Sequence, residues 1–170
     1  LPPTVLGFYL LLAFGPRGPL GKLTSALDLP GLAFTFHGVV IASVLYSLPF
    51  VLQPLLASFR AVRQEELESA LLLGAGRWQR MRHVILPSCR NGVLSAACLG
   101  FAHTVGEFGV VLMIGGNIDG ETRVISIALY NQVEQANYGA AHQLALMLLL
   151  FALAALTAVY WLNARRDKDA

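Results

Sequence analysis

Four stretches of the chain are almost wholly apolar: Leu1–Phe14, Phe36–Leu56, Pro87 to about Met113, and Ala140–Leu162. A helix rising about 1.5 Å per residue needs about 20 residues to cross a hydrocarbon core of about 30 Å. The last three stretches meet that length. The first is too short and reads as a truncated span, and Leu1-Pro2-Pro3 carries neither an initiator Met nor a basic flank, so earlier helices of a longer protein are expected before it. A Gly/Pro-rich turn, residues 15–21, leads into a short connector to about Pro30. Pro49 and Pro54 predict a kink in the second half of the second stretch. Pro87 suits the first turn of the third, where its missing N–H leaves no gap in the helix.

Between the second and third stretches the period changes. Gln64–Leu73 reads as a helix, with Glu65, Glu66 and Glu68 near the positive end of its dipole. Leu67, Ala70, Leu71 and Gly74 recur at helical spacing and give one apolar face. Gly74-Ala75-Gly76 ends it, because glycine accepts the left-handed backbone that helix ends favour; an added side chain at Gly74 is expected to crowd this turn. Arg77–Leu86 restarts a helix with Trp78, Met81 and Ile85 on one side, and Pro87 is expected to turn the chain into the membrane. The spacing fits both a helix resting on lipid headgroups and a docking surface, since periodicity names no partner.

The loop between the third and fourth stretches is dense in turn formers from Gly115 to Thr122. Arg123–Asn137 then reads as an amphipathic helix, with Val124, Ile127, Leu129 and Val133 opposite Asn131, Gln132, Glu134 and Gln135. A membrane-surface helix and a docking surface both fit it.

Composition fixes the class. The 170 residues are 56% hydrophobic and 13% charged, against about 25% charged in globular domains. One domain of this size could not hide so many apolar side chains, so the expected class is an all-α, polytopic transmembrane helical bundle, with 1–170 a single membrane domain and 57–86 its connecting block. Charge then orients it. Arg60, Arg63, Arg77, Arg80, Arg82 and Arg90, with Arg165, Arg166 and Lys168, fall on one side of the four-segment topology; Arg17, Lys22 and Arg123 fall on the other. Nine basic residues against three place the block and the C-terminus in the cytoplasm. Cys89 and Cys98 read as small apolar fillers.

Polar side chains inside the spans are the remaining candidates. Ser43, Tyr46 and Ser47 form a stripe continuing toward Gln53, and the third stretch offers Ser95, Cys98, His103, Thr104 and Glu107. Helix–helix hydrogen bonding and the lining of a translocation path both account for such groups. Glu107 would repel a dianion, which favours a structural partner, His103 among the candidates, over a substrate ligand. Gly106 and Gly109 beside it would permit a broken helix. No Gly-rich phosphate loop ending in Lys-Ser/Thr occurs, so nucleotide hydrolysis would belong to another chain. The four histidines show no metal-ligand spacing, no catalytic residue is assigned, and nothing points to nucleic acid. An intramembrane serine hydrolase built on Ser95 and His103 lacks geometry that brings the two together. A non-transport scaffold would leave the charged block unexplained.

The block resembles the cytoplasmic pattern of ABC importer permeases, in which Glu-Ala-Ala, three residues, Gly and about nine residues precede Ile-x-Leu-Pro. Glu68-Ser69-Ala70, Gly74 and Ile85-Leu86-Pro87 occupy those places here, with Ser69 replacing an Ala and the closing spacer missing. Residues 1–7, 14–21, Gly106-Glu107-Phe108-Gly109 and Gly116-Asn117-Ile118-Asp119-Gly120-Glu121-Thr122 are similar to the molybdate branch, with sulfate and thiosulfate permeases as close relatives. The resemblance implies a type I ABC importer permease fold in a bacterial inner membrane, moving molybdate or tungstate. It implies a second permease copy, a cytoplasmic ATPase dimer that holds ATP and Mg, and an extracytoplasmic molybdate-binding protein; this chain would bind no cofactor itself. Residues 68–76 would be the coupling helix. By the same resemblance Glu66, Glu68, Ser69, Ala70, Gly74, Ala75, Arg77, Arg80 and Pro87 would form the coupling site, while Ser43, Tyr46, Ser47, Ser95, Thr104 and Glu107 remain the path candidates.

Overall fold

The computed structural model describes residues 2–166, with the backbone alone at 159 and 162–166. Leu1 and Lys168 lie outside the described residues, as do the side chains of Leu162, Arg165 and Arg166. Among the described residues all regular structure is helical, as the composition requires. The helices are α1 Pro3–Phe14, α2 Pro19–Ala26, α3 Phe36–Arg60, α4 Gln64–Leu72, α5 Arg77–Arg80, a π-helical turn Met81–Ile85, α6 Leu86–Ser88, α7 Arg90–Val105, α8 Gly109–Gly115, α9 Ile125–Glu134 and α10 Tyr138–Arg166. The described residues form two compact units, one within 1–47 and 103–153, the other from 48–102 and the part of α10 beyond 153.

α3 and the stretch of α10 from Tyr138 to Ala158 are long and apolar enough to cross a membrane. Only 17% and 6% of their apolar windows are buried within the chain, so most of that surface must meet lipid or other helices. α3 runs without interruption through Pro49 and Pro54.

The third expected stretch departs from a single helix. Arg77–Ser88 and Arg90–Val105 meet at 65°, a broken span or re-entrant loop. The chain therefore turns at Cys89, two residues beyond Pro87, which lies inside α6. A second break at Gly106-Glu107-Phe108 separates α7 from α8, so no continuous helix joins Pro87 to Met113. The expected connector holds a helix of its own, α2, started by Pro19 in its first turn. The helix expected over Arg123–Asn137 is shorter at both ends, Ile125–Glu134.

The core of the first unit is Phe14, Val39, Ala42, Val110, Val111, Ile114 and Ile127. α1 packs along α8; at Gly7 an added Cβ would lie 2.9 Å from Met113 Cβ, so the two backbones meet closely. α8 ends at Gly116 with φ +67°, the left-handed terminator that glycine supplies. The following loop is held from within. The Thr122 hydroxyl, 2% exposed, donates to the Gly115 carbonyl at 2.6 Å and accepts from the Ile118 N–H at 3.0 Å. Arg123 donates through Nε to Asn117 Oδ1 and pairs with Asp119, both at 3.0 Å. Ile127 carries α9 into the core, so this helix is anchored in protein rather than merely floating on a surface.

Candidate functional site

The charged block belongs to the second unit. α4 starts where Arg63 is extended, with Glu65 and Glu66 in its first turn. Ser69 Oγ donates back to the Glu65 carbonyl at 2.7 Å, which leaves Ser69 facing solvent with its hydroxyl already used. Leu67 and Ala70 are half-buried, as the apolar face predicts. Gly74 has φ +78°, as expected of the terminator. Apart from its two chain neighbours, no heavy atom of the described residues would lie within 4 Å of a Cβ there, however, so the demand for glycine is conformational and crowding by the surroundings is absent. Gly76 N–H donates to Gln79 Oε1 at 2.9 Å and starts α5. Ser88 Oγ donates to the Val84 carbonyl at 2.7 Å and lies 3.3 Å from Glu66 Oε2, so its one proton is held mainly within its own helix while α4 approaches α6 there. Arg77 is exposed; Arg80 is half-buried, and its Nε has no hydrogen-bond partner among the described residues.

The helical period alone missed the outer tip of this block. Leu72 and Leu73 are 89% and 87% exposed, with Trp78 at 75% beside the same turn. The signal was present in the sequence: Leu71, Leu72 and Leu73 are consecutive, and residues about 100° apart cannot all join one buried face. Large apolar side chains this exposed at a turn between charged helices make the tip a candidate contact surface.

The intramembrane candidates divide between the units. In the first, Ser47 and Thr104 share a 2.8 Å hydrogen bond, and the Tyr46 and His103 rings lie 4.7 Å apart. Ser43 and Ser47 are buried. α3 and the end of α7 thus place three of the expected polar residues, with His103, in one cluster. Ser95 lies in the second unit, where with Cys98 and Thr157 it borders an apolar groove of about 590 Å³ against α10. Gln53 is exposed.

Glu107 has a structural task. It is 7% exposed, and its Oε1 accepts from the Val110 N–H at 2.8 Å, satisfying an otherwise open donor in the first turn of α8. Its carbonyl accepts from Ser126 Oγ at 2.7 Å, tying the helix break to α9. Nearby, Phe108 packs on Tyr130, and the Glu134 hydrogen bond and charge raise the Tyr130 pKa, so the phenol stays neutral. Glu107→Ala is expected to cost about 1–3 kcal/mol, the range for a buried group left without its partner. Glu107→Gln keeps an acceptor and should retain most of the stability. Thermal unfolding of the two variants in detergent checks the order; equal losses would refute the capping role.

Residues 1–168 match the family described as the binding-protein-dependent transport system inner membrane component. The chain is 54% identical over 168 residues to the molybdenum transport system permease protein ModB of Azotobacter vinelandii, covering 99% of this chain and 74% of that one. The Haemophilus influenzae protein of the same name is 33% identical, with the same two coverages. The sulfate transport system permease protein CysT of Escherichia coli is 31% identical over 97% of this chain and 59% of its own length.

Proposed function

The chain belongs to the family of binding-protein-dependent transport system inner membrane components, a multi-pass membrane permease family, and on that premise we propose that it is the molybdate-conducting subunit of a type I ABC importer. The observation that carries the substrate is the 54% identity, over 99% of the chain, to a molybdenum transport permease. Tungstate, a like-charged tetrahedral oxyanion, belongs to the same reading. Sulfate is the second reading, favoured by relatives such as the 31% identical sulfate permease. Another molybdenum permease of Escherichia coli is only 32% identical, so the more distant matches do not separate the anions.

In this reading two copies of the chain enclose the path. A cytoplasmic ATPase dimer binds ATP and Mg, and an extracytoplasmic binding protein delivers the anion. The basic residues of the block orient it to the cytoplasm, where Leu72, Leu73 and Trp78 offer apolar anchors with Arg77 at the rim. ATP-driven closure of the ATPases displaces α4, and its packing against α5 and the π-helical turn passes that displacement on to α6. Hydroxyls such as those of Ser43 and Ser47 suit a weak path, because a strongly cationic site would hold the anion and stop its release. The test is reconstitution of the full complex with its delivery protein. Molybdate and tungstate are expected to stimulate ATP hydrolysis and sulfate to leave it at the basal rate; stimulation by sulfate alone would replace the first reading with the second.

A further inference from the structure

α7 approaches α3 along a seam that has no side chains to spare. Gly92, Ala96 and Gly100 recur every four residues on one face of α7. Ala96 and Gly100 are buried and Gly92 is half-buried. A Cβ added at Gly92 would lie 2.2 Å from Ser58 Cβ and 3.2 Å from the Pro54 carbonyl oxygen. One added at Gly100 would lie 2.6 Å from Val51 Cγ2. Val51, Pro54 and Ser58 occupy one face of α3 in reverse order, so the two helices run antiparallel, with the α3 backbone itself close at Gly92 and the Val51 side chain filling the space at Gly100. Small residues at every fourth position are how membrane helices reach such proximity. At the end of the seam nearest the charged block, Ser58 Oγ donates to the Cys89 carbonyl at 3.3 Å. That carbonyl sits at the 65° bend, and Cys89 itself is fully buried.

The charged block is therefore a loop whose two ends are fastened together where it leaves the membrane helices. We propose that the seam of Gly92, Ala96 and Gly100 against Val51, Pro54 and Ser58 is the joint that turns displacement of the block into movement of α3 and α7 as one rigid pair. Without it, a push on α4 would be absorbed by parting the two helices at the base of the block. With it, the push has no soft degree of freedom there and reaches the spans. These are positioning residues; none is expected to touch the anion. The inference rests on the transport reading given above.

Gly92→Ala tests it in the complete importer with its ATPase and delivery protein. The assembled complex should still hydrolyse ATP, while anion uptake per ATP hydrolysed falls about tenfold, the scale of an overpacked helix contact. Gly100→Ala should lower the ratio alike, and adding Val51→Ala, which removes the opposing Cγ2 and leaves the Ser58–Cys89 bond intact, should restore it. Wild-type uptake per ATP in both glycine variants would overturn the proposal, as would a Gly100→Ala defect that Val51→Ala leaves unchanged. So would a loss of uptake that only tracks the amount of assembled complex, or failure of the relieved pair to assemble, since the seam would then be packing alone. A wild-type complex whose hydrolysis no oxyanion stimulates would instead refute the transport reading, which separates the two failures.

Discussion

A chain carrying Leu72→Asp together with Leu73→Asp is expected to stay in the membrane and lose its ATPase. The two leucines are 89% and 87% exposed, so replacing them removes almost no internal packing, and the fold should not register the change. At an interface the same two side chains would each be worth about 1.5–3 kcal/mol when buried. Two carboxylates in an apolar pocket add a desolvation cost. Their combined loss corresponds to a fall of at least about 100-fold in association, enough to abolish co-purification and uptake together. The measurement is the amount of ATPase retained on the purified permease, with membrane content of the permease as the control. Full retention would mean that the tip rests on lipid headgroups, the other reading that the periodicity allowed.

Replacing Gly74 is the second large effect, and its order among substitutions is diagnostic. At φ +78° an L residue pays about 1–2 kcal/mol, because its Cβ crowds the neighbouring carbonyl. The surroundings are open, so size as such does not matter. Asn and Asp visit this region more readily than most residues, and Val, branched at Cβ, least. Gly74→Asn is therefore expected to be mild, Gly74→Asp intermediate and Gly74→Val severe. The Val variant should lose about tenfold in uptake per ATP as the turn between α4 and α5 reorients Trp78 and Arg77, the factor that about 1.4 kcal/mol represents. Paired uptake and hydrolysis assays on the three variants check it. Equal effects of Asn and Val would point to side-chain bulk and against a conformational cause.

Particular residues show how far the sequence could be read. α3 and α10 were legible because each is a long apolar run, and hydropathy accumulates locally. α4 and its glycine stop were legible because the acidic start, the helical spacing and Gly74 lie within a dozen residues. The third span was not. Pro87 drew the expected turn to itself, whereas the bend falls at Cys89, where Ser58, far back in sequence, accommodates the carbonyl. Glu107 was legible as a costly buried charge with a structural partner. Gly106 and Gly109 marked the break beside it, but that its partner is the Val110 N–H of the new helix was not legible, since the carboxylate meets that donor only once the chain has folded. Ser47 and Thr104 were each singled out on separate segments, and only their meeting at 2.8 Å makes them one cluster.

The amino-acid order alone determined that this is an all-helical membrane chain, which stretches are apolar enough for the bilayer, and where the charged block begins and stops. Those properties depend on composition and on periods of a few residues, which any local window contains. The tertiary structure decided that the third span also bends at Cys89, which leucines stand bare at the tip of the block, and that Gly92 and Gly100 meet Ser58 and Val51. These depend on contacts between residues dozens of positions apart, and such contacts are fixed only when helices choose which faces to bury against one another.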